Sequence, residues 1–289
     1  MTAQLPSFSV ITPSFRQFEW LKLCAASIAD QQGVRCEHLV QDAGTGPELE
    51  AWAATQPQLQ LFVERDDGMY DAVNRGLRRA TGDICSYLNC DEQYLPGALQ
   101  AVGEYFAAHP DVDVLFGDMV LVDGQGRPNC YRRVIRPRRG HLRTAHLPVA
   151  TCATFFRRRL VEAGYFFDTN WRCIGDAVWV DRLLADGVSL AVLPRPLAAF
   201  AFTGENLSDS PRFAAEHTRF RTSPESPPAW QALPLKWQHR FEKLLAGAYA
   251  RRSLPLDLYA PGDPSQRRHW PAKPLGCRWN AAARSTAAV

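Results

Sequence analysis

Between Phe8 and His109 the chain alternates two rhythms of apolar and polar residues. Phe8–Thr12, Glu37–Gln41, Leu59–Val63 and Ile84–Leu88 are short, apolar at adjacent positions, and bounded by Gly, Pro or acidic residues. Such runs mark strands of a sheet covered on both faces. Helical periods lie between them. Trp20, Leu21, Leu23, Cys24, Ser27 and Ile28 set one over Phe18–Asp30. Pro47–Ala54 reads as a short helix with Pro in its first turn. Tyr70, Val73, Leu77 and Ala80 line one side of Met69–Ala80, with Asp66 or Asp67 placed to cap its start and Gly82 its end. Gly97–His109 is the next helix. Four β-α alternations predict parallel strands joined by right-handed crossovers.

The rhythm then changes. Val112–Gly117 and Met119–Val122 read as strands, and Asp123-Gly124 signals a hairpin into Cys130–Ile135. Thr151–Phe156 is strand-like and leads into a helix from Arg157 to Ala163. A helix begins at Asp176 with Val180, Leu183 and Leu184 buried, and Leu190–Leu193 and Leu197–Phe202 form a last pair of strands. The fold class is therefore α/β, a mostly parallel sheet flanked by helices with a smaller antiparallel subregion. Residues 1–110 form one half of a domain that runs to 205, and 111–205 the other. Beyond Thr203 come the breaker clusters Ser208–Pro211 and Pro224–Pro228. Helices are expected at Arg212–Phe220 and Trp230–Arg251, so 206–289 reads as a helical extension whose last stretch, Ala281–Val289, frays. Trp230, Trp237, Trp270 and Trp279 stand there among Lys and Arg. Packing on the domain is the default for them; a homodimer contact and a membrane surface are the other uses.

In parallel sheets ligands bind beyond the carboxyl ends of the strands. Here those ends are Thr12, Asp42, Glu64 and Asn89. Asp91 follows Asn89 by two residues, and an oxygen-rich strand end can hold a hard divalent cation that in turn holds a diphosphate. The same residues also suit a polar turn. Asp42-Ala-Gly-Thr-Gly46 fits a grip on a ribose or base, or equally an Asp-Gly turn. Asp71 and Asn74 share a helix face one turn apart. Asp176 fits an N-cap.

The whole chain narrows these choices. With 289 residues, 46% apolar, and a net charge of +3, it is large enough for a substantial core and too near neutral for a nucleic-acid binder. Its cations are uneven: Gly124–Val161 has ten arginines and no acid, which reads as a solvated face or as the seat of an anionic partner. The N-terminus lacks a leader pattern, and no apolar run is long enough to span a bilayer. Eight cysteines show no zinc spacing and suit a reducing compartment. We expect a cytoplasmic protein, with the inner membrane face as its one peripheral address. No Gly-x-Gly-x-x-Gly follows the first strand, which speaks against a nicotinamide-binding protein.

Taken together, the motifs resemble family 2 glycosyltransferases of the GT-A fold, of the bacterial surface-polysaccharide type. Ser9-Val-Ile-Thr-Pro-Ser-Phe15 is similar to their opening strand and nucleotide loop, and Asp42-Ala-Gly-Thr45 to their nucleoside grip. Glu64-Arg-Asp-Asp-Gly-Met-Tyr-Asp-Ala-Val-Asn-Arg-Gly76 is similar to a segment of the polysaccharide members. Ala80-Thr-Gly-Asp83, Leu88-Asn-Cys-Asp-Glu92, Ala153–Arg158 and Phe167–Asp176 follow in order. The resemblance implies donor contacts from Thr12, Pro13, Ser14, Asp42, Asp66, Asp71, Asn74, Asn89, Cys90 and Asp91. It implies Mn²⁺ or Mg²⁺ on Asp91, with Glu92 as a helper, and Asp176 as the catalytic base. It implies a nucleotide-sugar donor (a UDP-sugar first), a glycan or lipid-linked acceptor, and inversion. Asn-Cys-Asp has one carboxylate fewer than the family's Asp-x-Asp, Gly175 precedes Asp176 where many members carry Glu or Ala, and Thr151-Cys152 stands where His-Gln is common. The Gln-x-x-Arg-Trp motif of processive synthases is absent, which favours single transfer. The reduced metal motif also suits a catalytically silent nucleotide-sugar-binding partner subunit.

Overall fold

The computed structural model describes residues 4–203 and 210–277. In chain order the elements are β1 (Phe8–Ser14), α1 (Phe18–Ala29), β2 (Cys36–Asp42), α2 (Pro47–Ala53), β3 (Leu59–Val63), α3 (Met69–Arg79), β4 (Ile84–Tyr87), β5 (Glu92–Tyr94), α4 (Ala98–Ala108), β6 (Val114–Asp123), β7 (Pro128–Arg132), α5 (Arg139–Thr144), β8 (Thr154–Arg157), α6 (Arg158–Glu162), α7 (Gly175–Ala185), β9 (Leu190–Phe202), α8 (Pro211–Arg221), α9 (Ala232–Leu245), β10 (Arg252–Ala260) and β11 (Asp263–Leu275).

Nine strands form one sheet in the order β3-β2-β1-β4-β8-β6-β9-β5, with β7 paired to β6. Strands β3, β2, β1 and β4 are parallel to one another, as four β-α alternations require. β8 joins antiparallel to both β4 and β6, and so connects the two halves. Burial explains the composition. Val10, Ile11, Val40, Ile84 and Cys85 are closed off on both faces of the sheet. One apolar cluster lies under α1 and α4, and a second under α3 and α7.

Several sequence expectations shift in detail. The two breaks foreseen near Gly117 and near Pro194–Pro196 are not ends of strands. They are facing irregularities in β6 and β9, whose parallel register slips at Gly117/Asp118 and again at Asp118/Met119. A side chain at Gly117 would meet Leu197 Cδ1 at 2.2 Å, so glycine is needed for the strands to approach there. Gly82 does not close α3, which ends with Ala80 already extended. It lies flat on β1, where a Cβ would sit 2.5 Å from the Phe8 carbonyl carbon. Neither Asp66 nor Asp67 caps α3 through its side chain; the cap position is Gly68, with φ 103°. Thr151–Ala153 is a 3₁₀ turn before β8 rather than strand.

The extension begins with helices as expected, but it is not helical throughout. β10 and β11 form an antiparallel hairpin. Leu254, Leu256 and Leu258 alternate with polar residues, which is a strand rhythm, and prolines are tolerated because both strands are edges. Leu256 and Leu258 pack on Val120, Val122 and Ala199 of the main sheet. The stretch expected to fray, Ala281–Val289, lies outside the described residues, as does Trp279. No helix among the described residues is long and apolar enough to cross a membrane.

Candidate active site

The carboxyl ends of β1, β2, β3 and β4 open into a cleft of about 1950 Å³. Pro13, Ser14, Ala43, Asp66, Asn89, Cys90 and Asp91 line it from the strand side. The opposite side is formed by the stretch from His146 to Thr151, by Arg172–Ala177, and by α8 and α9. Asp91 and Asp176 therefore line the same cavity.

The acidic end after β4 is an unfavourable place for isolated charge. Burial raises the Asp91 carboxyl above the ordinary range. Glu92 lies behind it, fully enclosed; burial first, and then the Asp91 charge, raise its carboxyl too. Glu92 Oε2 accepts from the Asn89 backbone N–H at 2.8 Å. Its other oxygen, Oε1, and Asn89 Oδ1 are buried, and no hydrogen-bond partner reaches them among the described residues. Hard oxygens left unsatisfied beside a desolvated carboxylate fit a divalent cation such as Mn²⁺ or Mg²⁺.

Asp176 sits in the first turn of α7. Its Oδ1 accepts from the Tyr70 hydroxyl at 3.1 Å and from the Ala177 N–H at 2.8 Å. The Tyr70 hydroxyl accepts in turn from the Asp176 N–H at 3.1 Å. Burial pushes Asp176 above the usual carboxylate range and, with the Asp176 charge, holds Tyr70 protonated. Asp176 is not the N-cap, a position that belongs to Ile174. Gly175 is required by Tyr70: a Cβ there would lie 2.7 Å from the tyrosine ring. In the sequence Tyr70 is one apolar stripe position among several, and its polar role is visible only once α3 and α7 are brought together.

The remaining donor-side candidates separate into two groups. Asp66 lines the cleft, its Oδ1 accepting from the Gly68 N–H at 2.9 Å. Beside it Arg172 lies over the start of α3, so close that a Cβ on Gly68 would meet its Nη1 at 2.8 Å. Sequence reasoning missed Arg172, since no local pattern marks it. Four others do not face the cleft. Thr12 is fully buried, its Oγ1 2.8 Å from His38 Nε2. The Asp42 carboxylate is closed within its own turn, accepting from the N–H groups of Gly44 and Thr45 and from Thr45 Oγ1. Asp71 accepts from the Asp67 N–H and pairs with Arg75. Buried Asn74 donates to the Phe167 carbonyl at 2.8 Å and accepts from the Phe167 N–H at 2.9 Å.

The arginine-rich stretch is mostly paired internally. Arg143 binds Asp181 at 2.7 Å, Arg139 reaches Asp181 and Glu225, Arg133 reaches Asp118, Arg138 reaches Glu242 and Arg159 reaches Asp113. Arg157 donates to the carbonyls of Phe106, His109 and Val112. The expectation of an anionic partner for the whole stretch is thus corrected, because its charges answer acids distant in sequence. Arg132 alone of the ten lines the cleft, joined there by Arg240 and Lys243 of α9.

Residues 9–165, more than half of the chain, match the profile of Glycosyl transferase family 2. The chain belongs to that family. Among curated relatives of this glycosyltransferase, a PGL/p-HBAD biosynthesis glycosyltransferase of Mycobacterium bovis is 33% identical over 122 residues, which is 40% of this chain and 48% of the relative. The O-antigen biosynthesis protein RfbC of Myxococcus xanthus is 31% identical over 42% of this chain and 10% of its own length. The chain thus spans less than half the length of these relatives. Of solved structures, S. aureus TarS in complex with UDP aligns with a TM-score of 0.57 and 16% identity, covering 84% of this chain and 74% of that one. Mannosyltransferase PcManGT from Pyrobaculum calidifontis, in complex with GDP-Man and Mn²⁺, aligns with a TM-score of 0.53 and 19% identity, covering 85% and 77%. These likenesses show a GT-A-like fold.

Asn74→Ala would strand two buried backbone groups of Phe167. We expect a loss of about 2–4 kcal/mol in urea unfolding with nucleotide affinity unchanged in the folded fraction. A stable variant with weakened nucleotide binding would return Asn74 to the donor site.

Proposed function

We propose that this glycosyltransferase is an inverting, metal-dependent, non-processive enzyme. It moves a sugar from a nucleotide-sugar donor to a hydroxyl of a glycan or lipid-linked acceptor, in the assembly of a cell-surface polysaccharide. One observation carries the proposal: a desolvated carboxylate at the end of β4 and a second one, held by Tyr70, line a single cleft. The ligands of TarS and PcManGT support a nucleotide-sugar donor, UDP-linked first. The name of the myxobacterial relative, an O-antigen biosynthesis protein, supports a cell-surface polysaccharide product.

Pro13, Ser14 and Asp66 border the space for the nucleoside. Arg172 and the N–H groups at the start of α3 favour negative charge in the diphosphate region. Asp91, with Asn89 Oδ1 and Glu92 behind it, would hold Mn²⁺ or Mg²⁺. When bound, that ion supplies charge neutralisation for the departing nucleoside diphosphate. Asp176 takes the proton of the acceptor hydroxyl as its oxygen bonds to the anomeric carbon and the bond from that carbon to the diphosphate breaks. One displacement from the far side inverts the anomeric centre. Tyr70 is a positioning residue. It aims the Asp176 oxygen, and as a donor it favours the ionised carboxylate.

Asp176→Asn should lower turnover about 100- to 10,000-fold while calorimetry finds nucleotide affinity nearly unchanged. Normal turnover in that variant would remove Asp176 from the mechanism. EDTA should stop transfer and added Mn²⁺ restore it; full activity without metal would count against Asp91. Nucleotide-sugar binding with metal but no turnover of any acceptor would instead make the chain a silent partner subunit. The pH dependence follows from the raised pKa of Asp176: the base is lost on the acid side, at a higher pH than an ordinary carboxylate would be. Tyr70→Phe removes a bond that favours the carboxylate, so the acid limb of kcat should move to still higher pH. Its cost, about three- to tenfold, should be greatest at low pH. An unmoved limb would reduce Tyr70 to packing.

A further inference from the structure

Large apolar side chains stand exposed at nine positions among the described residues, and six of them lie on α9 and the turn before it. Trp230, Leu233, Trp237, Phe241, Leu244 and Leu245 are between 60% and 73% exposed. At 100° per residue they fall within an arc of about 120° on one side of the helix. Scattered apolar residues are ordinary on a surface, whereas a continuous arc of this kind marks a contact.

The rest of α9 is already docked. His239 is buried and stacks on His141 at 3.5 Å between ring centres. Leu235 packs over Gly140, and Glu242 pairs with Arg138 at 2.8 Å. The apolar arc is therefore the face left over once the helix has been fixed. Its border is cationic on one side; on the other stand Gln238 and Glu242, and the Glu242 charge is already answered by Arg138. Lys236, Arg240 and Lys243 follow one another along the cationic flank, and Arg240 stacks over the Trp237 ring. The arc itself holds no acidic residue that would meet those cations if two copies paired antiparallel through it. Anionic headgroups would meet them, while Trp and Phe suit the boundary between headgroups and acyl chains.

We propose that α9 is an interfacial helix that seats this protein on an anionic membrane surface. With 14 residues it is about 21 Å long, lying along the surface rather than crossing it. Arg240 and Lys243 also line the cleft, so the seated helix sets the cationic wall of the cleft at headgroup level. This last point rests on the transferase proposal and deepens it, since an acceptor carried on a lipid would arrive at that wall. Membrane seating itself does not depend on catalysis.

The test is co-sedimentation of the full chain with vesicles of phosphatidylcholine alone, or of phosphatidylcholine with an equal part of phosphatidylglycerol, with no nucleotide present. The protein should pellet with the anionic vesicles, release with added salt, and stay in solution with the neutral ones. Trp237→Ser/Phe241→Ser/Leu244→Ser should lose about tenfold or more of its partitioning while keeping its circular dichroism and nucleotide affinity. Lys236→Glu, a change at the edge of the arc that leaves the apolar face whole, should lose about fivefold. Wild-type protein left in solution with anionic vesicles, equal binding to both vesicle types, or a triple variant that pellets like wild type would each overturn the proposal. So would a wild-type dimer in light scattering that the triple variant dissociates and that ignores vesicles, since the arc would then be a contact between copies. Vesicle binding without sugar transfer would leave the seat in place and remove only the transferase proposal.

Discussion

Acidic side chains gathered in a recessed cleft repel one another and lose part of their hydration, and a fold keeps them there only if something in the site answers their charge. Asp91, Glu92 and Asp176 are in this condition. All three carboxyls are raised by burial, and the charges of Asp91 and Asp176 both act on Glu92. Protein donors answer part of it, through the N–H groups of Asn89 and Ala177 and the Tyr70 hydroxyl. Among the described residues, no donor reaches Asn89 Oδ1 or Glu92 Oε1. The unmet demand lies at the mouth of the parallel strands, where the sheet itself leaves a crevice. In the proposed reaction, cation, leaving group and base would form one electrostatic problem, with the rest of the architecture keeping its parts in place.

That architecture was largely legible in the first half of the chain, because strands buried on both faces and helices buried on one leave distinct rhythms. Met69–Arg79 was nearly correct at both ends, and β3 at both. The site was less legible. Thr12, Asp42, Asp71 and Asn74 carry the right chemistry at the right places in the order. What decides their role is the direction of a side chain, which depends on partners as remote as His38 for Thr12 and Phe167 for Asn74. Arg172 and Tyr70 were hidden for the converse reason: their neighbours in sequence say nothing of the groups they meet. The arginine stretch shows the same limit for charge. A run without acids looked unpaired, yet Asp181 of α7, Glu242 of α9, and Asp113 and Glu225 from loops meet it.

The two walls of the cleft differ in character. The strand side carries Asp66 and Asp91; Gly68 leaves room for Arg172 reaching over from the opposite side, and Gly175 on that opposite side leaves room for Tyr70. The far side is cationic and built in part from helices laid down after the sheet is complete. His141, His146 and His239 pack together there, and burial lowers their pKa values to about 3, 4 and 4, so they join α5 to α9 as neutral rings. The exposed apolar arc of α9 and the cationic wall are two faces of one helix, not separate modules.

Glu216 of α8 reaches back across the fold to the segment before α7. Its carboxylate accepts from the backbone N–H groups of Arg172, Cys173 and Ile174, the segment that leads directly into Asp176. A boundary drawn near residue 205 from composition alone would assign that carboxylate to an accessory region. It belongs instead to the scaffold of the proposed base. The family match, residues 9–165, ends before this fastening is reached. In this chain, what looks like an appendage completes the centre of the molecule.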